Sequence, residues 1–315
     1  MWIQRLSIEG VGTRGLERSW LVGPSLDRVS TIDAGPDAVA VADALALAFA
    51  SFDAALLRQI SARIGLGLAE VHEDRGLPEQ ISWSHPQAVR ALFPGRSARV
   101  DVALALDPAL FRVLIETAVR EPRLVDALSA AAPLEMAVGW HLADDGAVAA
   151  VGVLRLAMGG VAIPVAGAER PAWVAGLLTS IGRRFHRVDG AGAPDPTRLF
   201  TALHGPLASR RAGCRRALAA VGEPPFSFAE VELVRAPDGE LGCWMGEPSR
   251  PLRAWGRGAA QALELTEAVW LEQPDVLVLP MPQGDGAQAV TDWLAARTQG
   301  DSAPLEQVLF VAEAS

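Results

Sequence analysis

The chain contains no lysine, no asparagine and no tyrosine, so each of its 28 basic side chains is an arginine. Without lysine it cannot form a Schiff base, use an amine as general base or clamp a phosphate with an ammonium group. Cysteine is nearly absent as well. Cys214 and Cys243 stand alone, neither at metal-ligand spacing from a histidine, so the sequence suggests no disulfide framework and no zinc site, and the two read as free thiols. His72, His85, His141, His186 and His204 are scattered and form no HxxxH or HExxH pair. Ser82, Ser84 and His85 lie close in sequence, but no G-x-S-x-G elbow accompanies them, so they read as polar loop residues. Long apolar runs are also missing. The Ala-rich stretch from Ala38 to Ala50 is interrupted by Asp43 and falls short of the roughly 20 residues a membrane span needs. The first residues, Met1 to Glu9, alternate apolar and polar side chains as a strand does, with no basic region before an apolar run. The expectation is a cytoplasmic protein that does not enter a membrane.

Half of the 315 residues are hydrophobic, enough to build a substantial core in one large or two modest domains. The net charge of -9 opposes non-specific attraction to nucleic acid or anionic lipid. Arginines nevertheless cluster at Arg183, Arg184 and Arg187, at Arg210, Arg211, Arg215 and Arg216, and at Arg250, Arg253 and Arg257. Such groups either contact phosphates or form a solvated helix face. The acidic balance favours the solvated face for most of them and leaves the second cluster as the candidate basic patch. Trp83, Trp244 and Trp255 stand beside Gly, Pro or loop positions and read as partly exposed interface anchors; Trp140, Trp173, Trp270 and Trp293 read as core.

Periodicity predicts strands over Trp2 to Glu9, Ser19 to Val22 and Arg28 to Ile32, then one long helix from Val39 to Arg63. Residues 65–96 show no clear period and read as irregular, with a helix around His85 to Phe93. Further strands are expected at Ala98 to Leu106, Leu134 to Leu142 and Ala147 to Leu156, the last two joined by the turn signal Asp144-Asp145-Gly146. Helices are expected over Pro108 to Ala130, broken at Pro122, over Pro171 to Arg187 and over Pro196 to Val221. The last part reads as strands Phe228 to Arg235 and Glu240 to Met245, helix Gly256 to Glu272, buried strand Asp275 to Leu279, helix Ala287 to Arg297 and strand Glu306 to Val311. That final order suggests a right-handed parallel crossover. No internal repeat or heptad run is present.

Both ends of the chain resemble the two halves of an ABC-type ATPase head of the SMC and RecF class. At the N-terminal end the resemblance rests on Ile3 to Gly10, Val29-Ser30-Thr31-Ile32 and Gly35-Pro36-Asp37 before a helix. In that class the strand leads into a phosphate loop G-P-N-G-x-G-K-S-T, whose glycines let backbone N–H groups wrap the phosphates and whose Lys and hydroxyl hold phosphate and Mg²⁺. Here the Lys position is Val41 and the hydroxyl position Ala42. Ala38 and Ala40 replace glycines, and Asp43 adds a repelling charge. At the C-terminal end Pro274 to Leu279 resembles the Walker B strand, where the class continues Asp-Glu-Pro to orient Mg²⁺ and activate water. This chain continues from Leu279 into Pro280 and Met281. The signature region keeps Gly256 after Trp255, and Glu313 stands where a switch His belongs.

The resemblance implies an α/β fold: a degenerate P-loop NTPase sheet of the ABC ATPase head type, flanked by helices and assembled from residues 1–64 and 222–315, with residues 65–221 as an inserted α/β middle region. It implies a noncatalytic pseudo-ATPase, with no cofactor and no metal, that acts as a scaffold or regulatory subunit. Its expected partner is a protein: an active ATPase, another subunit of a complex, or a second copy. A nucleic-acid-binding accessory protein of DNA repair or phage defence is the alternative, and would use Arg210, Arg211, Arg215 and Arg216. An enzyme with an unrecognised site in the middle region is a third reading, which requires a deep pocket with clustered Asp, Glu and His.

Overall fold

Alternation over the first ten positions makes Trp2–Val11 (β1) a strand with one buried face. A register shift between Ile3 and Arg5 brings Ile3, Leu6 and Ile8 to the same interior, each with no exposed surface. The computed structural model describes residues 1–13, 15–22, 28–107, 110, 112, 122–188, 204, 212, 232–235, 241–244, 250–251, 265, 268–269, 273–282, 287–299 and 305–313. Within them the fold is mixed α/β, with a mostly antiparallel sheet and a separate parallel sheet.

In the antiparallel sheet β1 pairs on one side with Leu16–Leu21 (β2) and on the other with Ser97–Ala105 (β6). Leu134–Leu142 (β7), Val148–Met158 (β8), Leu77–Trp83 (β5) and Leu68–Asp74 (β4) follow in that order, and Val161–Ala162 (β9) adds to β8. Strands from residues 65–221 thus share a sheet with the first strands of the chain. The β7 to β8 turn forms as its Asp-Asp-Gly sequence requires: Gly146 takes a φ of 72° and the Asp145 carboxylate accepts from the Ala147 N–H at 2.8 Å.

The parallel sheet runs Phe185–Arg187 (β10), Val276–Pro280 (β14), Gln307–Ala312 (β15) and Val29–Asp33 (β3). Val29 to Ile32 and Val276 to Leu279, two of the segments that carry the resemblance, therefore share one sheet with β15 between them, whereas Ile3 to Gly10 lies in the antiparallel sheet. Both faces of this sheet are covered, which is why β14 and β15 read as continuous apolar runs. Val276, Val278, Leu309 and Val311 join the main core, whereas Leu277, Leu279, Val308 and Phe310 join a second one with Val290 and Leu294 of Ala287–Ala296 (α6). Glu232–Arg235 (β11), Leu241–Trp244 (β12) and Arg250–Pro251 (β13) make a third, small antiparallel sheet.

Between the two large sheets lies Ala38–Ala50 (α1), a helix with no polar face beyond Asp43. A helix apolar all round has to be buried, and its many alanines let both sheets approach closely. The same close packing fixes Gly182 in Trp173–Arg183 (α5), where a Cβ would come 2.5 Å from the Phe49 carbonyl oxygen. The two sheets are tied directly by Gln307. Its side-chain amide accepts from the Ile3 N–H at 2.8 Å and donates to the Ile3 carbonyl at 3.0 Å, both buried.

Four expectations are corrected. The single helix from Val39 to Arg63 is two, α1 and Ala54–Arg63 (α2), because Asp53 caps the second by accepting from the Ala55 and Leu56 N–H groups. The stretch read as irregular contains the β4–β5 hairpin, closed by Arg75 and Gly76, both at positive φ, before the expected helix Pro86–Leu92 (α3). The helix from Pro171 ends at Arg183, since Phe185 to Arg187 pairs with β14 instead. Trp83 is 4% exposed and fills the core. The segment from Pro108 to Ala130 is described mainly by Pro122–Ser129 (α4). The expected helices over Pro196 to Val221 and Gly256 to Glu272 lie almost wholly outside the described residues, as do Trp255, Gly256, Arg210, Arg211, Arg215 and Arg216.

Candidate functional site

In open α/β sheets ligands bind beyond the carboxyl ends of the parallel strands. Here that edge carries the ends of β3, β15 and β14, with Asp33 opposite Ala312 and Pro280 opposite Val311 in the strand registers. It gathers Gly35, Pro36, Asp37, Pro280, Met281 and Glu313 along neighbouring strand ends. Met281 is 38% exposed and donates its N–H to the Val311 carbonyl, Glu313 is exposed, and Leu279 is buried in the second core.

The turn between β3 and α1 is short and internally bonded. Gly35 takes a φ of 61°, and its N–H donates to the Asp33 carboxylate at 3.0 Å. Gly35 to Asp37 form one 3-10 turn, and the Ala38 N–H already donates to the Gly35 carbonyl. The helix therefore starts at Ala38, and Val41 and Ala42 fall in its second turn with no exposed surface. Asp37 is turned away from the helix start: its carboxylate accepts from the Thr13 N–H at 2.8 Å and from the Thr13 hydroxyl at 3.0 Å. The β1–β2 turn packs so closely there that a Cβ on Gly12 would lie 2.4 Å from the Asp37 oxygen. The Gly35 and Ala38 N–H groups are thus committed to bonds within the turn.

Asp43, the residue after Ala42 in α1, makes an ion pair that sequence reasoning missed. Its carboxylate lies 2.6 Å from the guanidinium of Arg187 at the end of β10, and the two side chains are 15% and 3% exposed. Burial pushes the Asp43 carboxyl up to about 6, although the Arg187 charge opposes the rise. The approach has ion-pair distance but lacks hydrogen-bond angle at that oxygen, so charge is the main attraction. Arg63 of α2 donates to the Arg187 carbonyl at 2.8 Å and lies 3.4 Å from His186 Nε2. A lone carboxylate in an otherwise apolar helix was the available signal, because a buried charge requires a partner.

At the opposite end of the sheet Arg184 bonds both Asp275, at 2.9 Å, and Asp107. Burial alone lowers its pKa, but the two carboxylates raise it above the ordinary value. Asp107 also accepts from the Leu110 N–H at 3.0 Å, so this cluster is accounted for by tying β10 and β14 to the segment that follows β6.

A pocket of about 60 Å³ opens between the α1–α2 corner and the antiparallel sheet. Phe52, Leu77, Val138, Val151 and Val165 form its walls, and Ser51, Glu79 and Arg170 are its polar groups. It lacks the clustered Asp, Glu and His that the enzyme reading requires. Among the described residues no group of three or more His, Cys, Asp or Glu is placed to hold a metal ion, and no helix is long and apolar enough to cross a membrane.

No known protein family and no curated protein matches the chain. Among solved structures it is similar to a crystal structure of an SmcHead bound to the C-winged helix domain of ScpA, with 10% identity and a TM-score of 0.47, over 100% of this chain and 90% of that one.

Proposed function

We propose that the protein is a noncatalytic relative of ABC-type ATPase heads that works in the cytoplasm as a scaffold or regulatory subunit, its surface given to a protein partner. The observation that carries this reading is the closed turn from Gly35 to Asp37. Where the resemblance calls for an open phosphate loop, α1 begins at once, and the positions of the Lys and the hydroxyl are the fully buried Val41 and Ala42. Pro280 and Met281 at the end of β14 offer neither a metal carboxylate nor a base. An active ATPase, another subunit or a second copy can fill the partner's role.

Calorimetric titration with ATP and GTP in the presence of Mg²⁺ tests the noncatalytic part, and the expected result is no heat beyond dilution. Micromolar affinity for either nucleotide would overturn it. Sedimentation of the purified protein then separates self-association from a requirement for a different subunit.

A further inference from the structure

The pocket beside the α1–α2 corner contains a charge that its surroundings only partly balance. Arg170 lies in the pocket wall with its side chain 3% exposed. Among the described residues its guanidinium contacts only Asp74, by a hydrogen bond to the carbonyl at 2.7 Å and an approach of 3.6 Å to a carboxylate oxygen, and both use the same terminal nitrogen. The Asp74 side chain is 46% exposed, so water weakens its hold on the buried guanidinium. A guanidinium offers two parallel N–H groups to a carboxylate along one edge, and such pairs gain strength where water is excluded. Around Arg170 the walls are the apolar side chains of Phe52, Leu77, Val138, Val151 and Val165. A few polar groups set into apolar walls are the usual make-up of a small-molecule site.

We propose that this pocket binds a small aliphatic carboxylate, with the carboxylate on Arg170 and a short branched chain against Val138, Val151 and Leu77. Its volume of about 60 Å³ restricts the ligand to a few heavy atoms. Glu79, exposed and also lining the pocket, decides between two sources of the same group. An α-amino acid brings an ammonium that a carboxylate attracts; a simple carboxylic acid does not.

The test uses the full chain with ¹³C-labelled Val and Leu methyl groups, titrated with isobutyrate, valine, isobutyramide and isobutylamine. Isobutyrate is expected to shift the methyls of Leu77, Val138, Val151 and Val165 saturably and to bind at least about ten-fold more tightly than isobutyramide, its neutral isostere. Arg170→Gln is expected to remove that preference. Valine tighter than isobutyrate assigns the pocket to amino acids, with the gain lost in Glu79→Gln; valine weaker assigns it to simple acids. No saturable shift at these methyls, or binding of isobutyramide or isobutylamine as tight as isobutyrate, overturns the proposal. The four-ligand series on the unmodified protein decides the matter even if Arg170→Gln fails to fold.

Discussion

Replacing Gln307 by Leu should expose how the two large sheets are held together. The side chain is 2% exposed and satisfies both backbone groups of Ile3, which itself has no exposed surface. Leucine has similar volume, so packing is nearly conserved, but the Ile3 N–H and carbonyl are left buried without partners. An orphaned buried polar group costs about 1–3 kcal/mol. The two together predict a loss of about 2–6 kcal/mol, a large part of the ~5–15 kcal/mol that stabilises a typical domain. Gln307→Glu supplies an internal control. Its ionised carboxylate still accepts from the Ile3 N–H but faces the Ile3 carbonyl with no proton to donate, whereas the protonated acid can donate. Burial raises the pKa of such a group, so Gln307→Glu should approach the unmodified protein as pH falls and diverge from it as pH rises. Urea unfolding followed by tryptophan fluorescence at pH 5 and pH 8 measures both effects. A Gln307→Leu midpoint within about 0.5 kcal/mol of the unmodified protein would refute the reasoning, since surface-like positions behave that way.

Asp43 predicts a pH slope. Burial raises its carboxyl from the ordinary 3.8 to about 6 when folded, so between those limits the folded state binds more protons and stability falls as pH rises. Asp43→Asn lacks this slope, and its stability relative to the unmodified protein should improve by up to about 3 kcal/mol from pH 4 to pH 7; a constant difference would remove the buried titration. Gly182→Ala should destabilise by about 1–3 kcal/mol despite the better helix propensity of alanine, because its Cβ meets the Phe49 carbonyl oxygen at 2.5 Å; thermal unfolding at or above the unmodified midpoint counts against that contact. The double variant Val41→Lys, Ala42→Ser should release no phosphate from ATP above background, with or without a purified partner, since it places a buried ammonium in α1 and leaves the catalytic carboxylates missing; turnover lost on restoring Val41 would defeat the noncatalytic reading.

The sequence announced elements whose pattern reflects a single environment. The bounds Leu134 to Leu142 are legible because β7 is an interior strand buried along nearly its whole length and the turn after it carries Asp-Asp-Gly. β14 and β15 were legible as unbroken apolar runs between polar segments. β4 was not, since it is an edge strand whose Glu70, His72 and Glu73 face water and erase the alternation. The break between α1 and α2 was written in Asp53, a capping residue, but the alanines on both sides hid it. At the candidate site Val41, Ala42, Pro280 and Met281 are legible in the sequence, whereas the 3-10 turn over Gly35 to Asp37 and the contact of Asp37 with Thr13 of another hairpin are not. The Asp43 to Arg187 pair spans distant positions, and the sequence supplied only half of it.

The order of strands in the parallel sheet also constrains how the chain reaches its native state. β3 pairs along its length with β15, so residues 29–33 wait for residues 307–312. During synthesis at ~5–20 residues per second, β3 therefore stays without its neighbour for many seconds after it leaves the ribosome. Closing so long a loop adds only a modest entropy cost, but contacts of such sequence separation slow the final step and leave apolar strand segments uncovered meanwhile. The antiparallel sheet can assemble earlier from hairpins, with α1 held against it on one side. Expression at lower temperature or with added chaperones should accordingly raise the soluble yield more than any change confined to β4–β8, because the vulnerable interval is set by when the last strand arrives.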